Sequence, residues 1–246
     1  MKTKVEEKFS QFLEKWICQL DEYLQQLRRV SKDYRSKTAW CDTEQELQAL
    51  VSKVTQHYKD YYTIKWALAH EDVLAFFCPI WVSPLEYAYS WITGWKPSAI
   101  FKLVDSIRTS RVPGSDLAEL TQEQQRKIEA LRVKIRLEEE KVEREMERQQ
   151  VAVADKKMAE LARLVVRVKN GEQVNQVEGM VQVALKGILM AGLEKVMKAA
   201  DCVRLRTLKG ILDILKPLEC AEFLAEIGML QIQLRQYGKK RDINIA

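Results

Sequence analysis

Two histidines and five cysteines are the residues of this chain whose types could carry nucleophilic or metal chemistry. His57 stands in HYKDYY and His70 in AHED. A nucleophile and its base need a histidine beside a serine or cysteine, oriented by a third group, and neither stretch offers that set. His70, Glu71, Asp72 and Cys78 can be written as a metal site, but a surface histidine beside solvated acids is the simpler reading. Cys18, Cys41, Cys78, Cys202 and Cys220 are scattered with no C-x-x-C pair, which argues against zinc and against a disulfide framework. The carboxylates of LEEEKVEREMERQQ lack the Glu-x-x-His spacing of a di-iron bundle and read as a solvated face. Phosphate-loop, dinucleotide, zincin and nucleophile-elbow motifs do not occur. Neither an enzyme nor a bound metal is expected.

The aromatic residues are the denser signal. Twelve of the twenty lie between Tyr58 and Phe101, and residues 81–98 read WVSPLEYAYSWITGWKPS. Rings of this size usually make core. They also suit an apolar pocket between helices, with Trp66, Trp81, Tyr89, Trp91 and Trp95 as its candidate walls. A fatty acid or similar apolar molecule is the ligand class such a pocket would take.

The elements that must position these groups are helices. Phe9, Phe12, Leu13, Trp16, Ile17, Leu20, Leu24 and Leu27 keep the 3.6-residue period, after a Thr3/Glu6 capping box. A polar loop follows from Ser31 to Thr38, and a second helix runs from Thr43, boxed by Glu46, to about Trp66. Ser83, Pro84 and Glu86 are start signals for a short helix, with Gly94 as its expected stop. Pro97 opens another helix, and Val112-Pro113-Gly114-Ser115 divides the chain. From Thr121, boxed by Gln124, to Lys169 there is no proline or glycine. If continuous, that stretch makes a helix about 70 Å long. Its stripe, Ile128, Leu131, Ile135 and Val142, on through Met146 and Val153, is a candidate seam for a bundle or a homodimer. Asn170-Gly171 ends it. Helices from about Asn175 to Cys202, through Leu205–Leu215, and from Leu218 to a stop at Gly238 complete the chain, with KKRDINIA a frayed tail. The expected fold is an all-α, elongated helical bundle with one very long helix (about 121–169) and no sheet. We expect a single domain, with an aromatic-rich half (6–112), a long-helix half (115–238) and a tail (239–246).

Composition agrees with a packed, charged, non-membrane chain. It is 47% hydrophobic and 30% charged, with a net charge of +5. The densest basic cluster is Lys239, Lys240 and Arg241, too small to predict direct nucleic-acid binding. MKTKVEEKFS has no apolar signal region, and no apolar run is long enough to span a membrane. A reduced, intracellular protein is expected.

An ordered series of motifs carries a family resemblance. Phe9, Phe12 and Trp16 come first, then HYKDYY, then W-x-S-P-L-E and W-x-x-G-x-x-P-S between Trp81 and Ser98. LTQEQQRKIEALRVKIRLEEEKVEREM, ADCVRLRTLKGILDIL, AEFL and a terminal YGKKRD follow. The series resembles the plant Delay of Germination family, the seed-dormancy-control domain, and the C-terminal region of TGA-type bZIP transcription factors. It covers residues from about 6 to 242. No basic region or zipper precedes Phe9, so the resemblance implies a free-standing member without its own DNA-reading element.

The resemblance implies a non-enzymatic regulator of seed dormancy or abscisic-acid signalling, acting in the nucleus or cytoplasm through protein partners. Those are clade A type 2C protein phosphatases or bZIP factors of the TGA type; pollen aperture formation is a further role in the family. The family's N-terminal aromatic segment is linked to phosphatase contact, which here maps to Phe9, Phe12, Leu13 and Trp16, one residue off the family's tight spacing. The alternative for that stripe is packing inside the bundle. Haem in the family is ascribed to histidines of the final helix. Here that helix reads GMLQIQLRQYG, with Gln231 and Arg235 near those places, so no cofactor is expected.

Overall fold

The computed structural model describes residues 2–36, 40–110, 116–152, 154, 155, 159, 160, 163 and 175–245. Among them the chain is all-α. The helices are α1 (Lys4–Arg35), α2 (Trp40–Glu71), α3 (Leu74–Phe77), α4 (Pro84–Ala88) and α5 (Ala99–Ser110). After a 3-10 turn at Asp116–Glu119 come α6 (Gln122–Ala152), α7 (Asn175–Leu212) and α8 (Pro217–Ile245). The described residues hold no strand, only an isolated bridge between Trp91 and Gly94.

Three helix starts follow the capping chemistry that the sequence offers. Thr3 accepts from the Glu6 amide while the Glu6 carboxylate takes the Thr3 amide, and Ser83 and Glu86 repeat the exchange at α4. Thr121 and Gln124 do the same ahead of α6, at 2.9 and 3.2 Å. Each box satisfies amides that a helix start leaves without partners.

α1 packs along α2 and against α8, α2 also meets α7 and α8, and α6 pairs with α7. The apolar stripe of α1 (Val5, Phe9, Leu13, Trp16, Leu20, Leu24, Leu27, Val30) is buried throughout. One contiguous core joins it to Leu47, Val54 and Tyr58 of α2, Ile128 and Ile135 of α6, Met197 and Ile211 of α7, and Phe223 and Leu224 of α8.

Several boundaries differ from the sequence expectation, and packing explains each. α1 continues through Ser31 to Arg35 because Val30 and Ser31 are themselves buried. α2 is already helical at Trp40, and it passes Trp66 because Ala69 keeps the buried face going. The expected break after Cys202 is absent: Val203, Arg204 and Thr207 are buried, and α7 runs unbroken to Leu212. The long helix is shorter than 121–169. α6 closes in a turn where the Ala154 and Asp155 amides meet the Val151 and Ala152 carbonyls. Near that end Val151 is 67% exposed. Val153, Lys169, Asn170 and Gly171 lie outside the described residues.

Gly238 is not a stop. α8 runs through it to Ile245, and Lys239 of the expected frayed tail pairs with Glu14 at 3.1 Å. The glycine is there for space. A Cβ built on it lies 2.7 Å from the Ser83 Cβ and closer still to its hydroxyl, the group that caps α4. Gly238→Ala is expected to destabilise by about 1–3 kcal/mol, since overpacking costs that much before the cap is lost. Urea unfolding checks this, and a midpoint equal to wild type would refute the close approach.

Candidate functional site

A cavity of about 490 Å³ lies where α1, α2, α7, α8 and the segment 76–95 meet. Tyr61, Tyr62, Trp81, Tyr89, Trp95 and Gln231 are among its walls. Its size falls in the range of small-molecule sites. Burial pushes the Tyr58, Tyr61 and Tyr62 hydroxyls above their ordinary range, which keeps them protonated donors. Tyr58 donates to Gln231 at 3.1 Å, whereas the Tyr61 hydroxyl has no hydrogen-bond partner among the described residues.

One side of the cavity is closed by a strained turn. Trp91 and Gly94 exchange backbone hydrogen bonds, while Ile92 and Thr93 between them have φ of 38° and 61°. Positive φ at both central positions marks a type I′ turn, which normally takes glycine or asparagine. Two β-branched residues there store strain of order 1–3 kcal/mol each.

Buried charges hold the turn. The Arg204 guanidinium, 1% exposed, donates to the carbonyls of Trp91, Ile92 (2.8 Å) and Trp95 (2.7 Å). Lys65 donates to the Thr93 carbonyl at 3.1 Å and its hydroxyl at 2.9 Å. Asp201 joins both cations, at 2.5 Å to Arg204 and 2.9 Å to Lys65, and accepts from Trp66 Nε1 at 3.0 Å. Two cations share one carboxylate, so the carbonyl dipoles of the turn supply the remaining solvation. Burial first, and then Arg204, pull the Lys65 ammonium down to about 8 against the opposing pull of Asp201. Gly94 belongs to this arrangement rather than to a helix stop: α4 already ends at Ala88, and a Cβ on Gly94 would sit 3.0 Å from Arg204 Cζ.

Around the mouth, Arg235 of α8 is 5% exposed. It donates to the Trp81 carbonyl at 2.9 Å, to Glu14 at 2.5 Å and to Glu86 at 3.4 Å. Helices α1, α4 and α8 are thereby joined by one guanidinium.

Of the five candidate pocket residues, Trp81, Tyr89 and Trp95 line the cavity. Trp66 and Trp91 instead turn their indole N–H groups to Asp201 and Glu143. The N-terminal candidates are largely inside: Phe9, Leu13 and Trp16 are 0%, 7% and 7% exposed, and Phe12 is half-buried. Trp16 stacks on His57 with ring centres 4.7 Å apart, and each ring nitrogen faces the other residue's carbonyl at 2.9 Å. Burial holds the His57 imidazole below its ordinary range. His70 lies exposed beside Glu194 at 3.4 Å. The seam residues Ile128, Ile135 and Val142 are buried and Leu131 half-buried on the α6 face that meets α7.

Lys65, Asp201 and Arg204 escaped the sequence reading. The available signal was charge inside an apolar stripe: Asp201 and Arg204, one turn apart, in AADCVRLRTLKGIL.

No helix among the described residues is long and apolar enough to cross a membrane. The DOG1 family model, described as seed dormancy control, matches residues 23–106. Protein DOG1-like 4 of Arabidopsis thaliana is 53% identical over 241 residues, covering 98% of this chain and 96% of that protein. Protein RESPONSE TO ABA AND SALT 1 of the same plant is 29% identical over 97% of this chain and 98% of its own length. The transcription factor TGA5, also from Arabidopsis thaliana, is 25% identical over 78% of this chain and 54% of the factor. The likeness to DOG1-like 4 takes in the helices that build the cavity and its charged turn, and by it the chain belongs to the DOG1, seed dormancy control, family.

Proposed function

We propose that this protein is a non-enzymatic regulator in seed dormancy or abscisic-acid signalling that works in the nucleus or cytoplasm by binding other proteins. The observation that carries the reading is the 53% identity to DOG1-like 4 along nearly the whole of both chains. The chemistry of the cavity supports it. Lys65, Asp201 and Arg204 bond to the 91–95 turn, to Trp66 and to one another, and Arg235 to the Trp81 carbonyl, Glu14 and Glu86, as structural ties do. A clade A type 2C protein phosphatase is the favoured partner, with TGA-type bZIP factors second. Size-exclusion chromatography and calorimetry of the purified protein with a panel of both should give a discrete complex. Failure of every member to co-elute with the folded chain would sink the reading.

The cavity favours a second reading, an apolar ligand held among the aromatic rings. Its basis is the volume of about 490 Å³ together with the unpartnered Tyr61 hydroxyl. Native mass spectrometry should then show a retained small molecule, and Trp95→Ala should lower its occupancy. Haem held through histidines of the final helix is not part of this reading. Gln231 and Arg235 carry no axial-ligand chemistry, His57 is stacked on Trp16, and His70 is on the surface away from the lining.

A further inference from the structure

The outer face of α6 is at once apolar and basic. Val133 and Leu137, one turn apart, are 53% and 52% exposed, on the side opposite the buried Ile128, Ile135 and Val142. Exposed Arg126, Lys134, Arg136 and Lys141 surround them and form no ion pair among the described residues. Apart from exposed Glu147, which lies past the four cations toward the end of α6, the carboxylates of the same helix are otherwise engaged. Glu123, Glu129, Glu140 and Glu145 pair with Lys127, Arg132, Arg144 and Arg148 on α6 itself. Glu138 reaches Arg206 of α7, Glu139 takes the Ser98 amide, and Glu143 takes Trp91 and Lys96. The charge left uncompensated on this face is therefore positive, and it rings two bare aliphatic side chains.

We propose that this face is a docking surface for an acidic amphipathic helix of a partner protein. Apolar side chains of that helix, at i and i+3 or i+4, would cover Val133 and Leu137, with Asp or Glu on either flank reaching the four cations. Two aliphatic residues one turn apart match the spacing of a helix laid alongside. The cations would add steering and partner choice. A second copy is disfavoured because the same cations would face one another. A membrane surface is disfavoured because two side chains offer little to insert. Duplex nucleic acid would leave the aliphatic pair without a role. The inference rests on the protein-binding reading and names the surface that it uses.

Fluorescence anisotropy provides the test. The probes are labelled synthetic helices of about 20 residues, long enough to be helical, with leucines at i, i+3, i+4 and i+7. One set carries Glu on both flanks and the other carries Lys. The acidic set should contain a member that binds at low salt, with no binding by its Lys copy. V133S/L137S should weaken binding at least about tenfold, and so should R126E/K134E, without moving the thermal midpoint, because all four positions are exposed. The proposal is overturned if no acidic helix binds better than its Lys copy, or if V133S/L137S leaves binding unchanged. Equal binding of phosphatidylserine vesicles or duplex DNA through these residues also overturns it, as does a dimer that V133S/L137S dissociates. A phosphatase or bZIP complex that survives V133S/L137S rejects this face and leaves the protein-binding reading intact. Helix binding without any such complex does the reverse.

Discussion

Asp201→Asn is expected to lower the stability of the folded chain by about 3–5 kcal/mol, the cost of leaving a buried charge without its partner. The substitution keeps the side-chain volume and removes the carboxylate that Lys65 and Arg204 share. Both cations stay buried, at 1% exposure, with the turn's carbonyls and the Thr93 hydroxyl as their remaining acceptors. In a chain of this length each kcal/mol lowers the melting temperature by roughly 2–4 °C. Lys65→Met alone should cost less, because no cation is left without its anion while Arg204 keeps Asp201. The double variant should be less destabilised than the two single changes added together, as expected for groups in contact. Strict additivity would show that the three side chains do not act as one unit.

The same triad predicts a pH dependence. Free in the unfolded chain, Lys65 holds its proton to about 10.5, but in the folded protein only to about 8. Between those values the unfolded state binds more protons, so the unfolding free energy rises with pH. Burial of Cys202 and Cys220, whose thiols are pushed up, acts oppositely above about 9, and the buried tyrosines do so above about 10. The clean window is therefore pH 8 to 9, in which wild type gains stability and Lys65→Met stays flat. In Asp201→Asn the favourable pull of the carboxylate is gone, so the rise should begin at lower pH. Urea midpoints measured across this range decide it, and a wild-type curve that falls between pH 8 and 9 would contradict the assignment.

Legibility in the sequence divides along a physical line. Local chemistry was readable: the boxes at Thr3, Ser83 and Thr121 form as the residue types dictate, and the 3.6-residue stripes place the core. Features set by contacts between distant segments were not. Gly94 and Gly238 look like helix stops, yet each leaves room for a side chain more than a hundred residues away, Arg204 and Ser83 respectively. Asp201 and Arg204 stand inside one continuous helix, and the partners that make their charges tolerable, Lys65 and the 91–95 carbonyls, are remote in the chain. The turn at Ile92 and Thr93 has no local signal at all, since both residues resist positive φ. Trp81, Tyr89 and Trp95 line the cavity, and they belong to an aromatic density that is itself a sequence property. Where Trp66 and Trp91 turn their indole N–H groups depends on where Asp201 and Glu143 come to lie, which no local pattern shows.

Phe9→Ala is the change that separates a core role from a partner role for the N-terminal aromatic stripe, and its expected cost is about 3–5 kcal/mol. The ring is fully buried. It lies 4.8 Å from both Phe76 and Trp81, 5.7 Å from Phe12 and 5.8 Å from Tyr61, so four other rings border the void that truncation would open. These neighbours come from α1, α2, α3 and the cavity segment. Collapse around the void would need several elements to shift together, which places the cost toward the upper part of that range. Phe12, half-buried on the next turn, should cost visibly less. If the stripe instead served partner contact, Phe9→Ala would leave the urea midpoint in place and abolish complex formation. The burial predicts the reverse: a clear drop in midpoint at constant m, with partner binding reduced only in proportion to the fraction unfolded. A Phe9→Ala protein within about 0.5 kcal/mol of wild type, the range of surface substitutions, would return the stripe to the partner face.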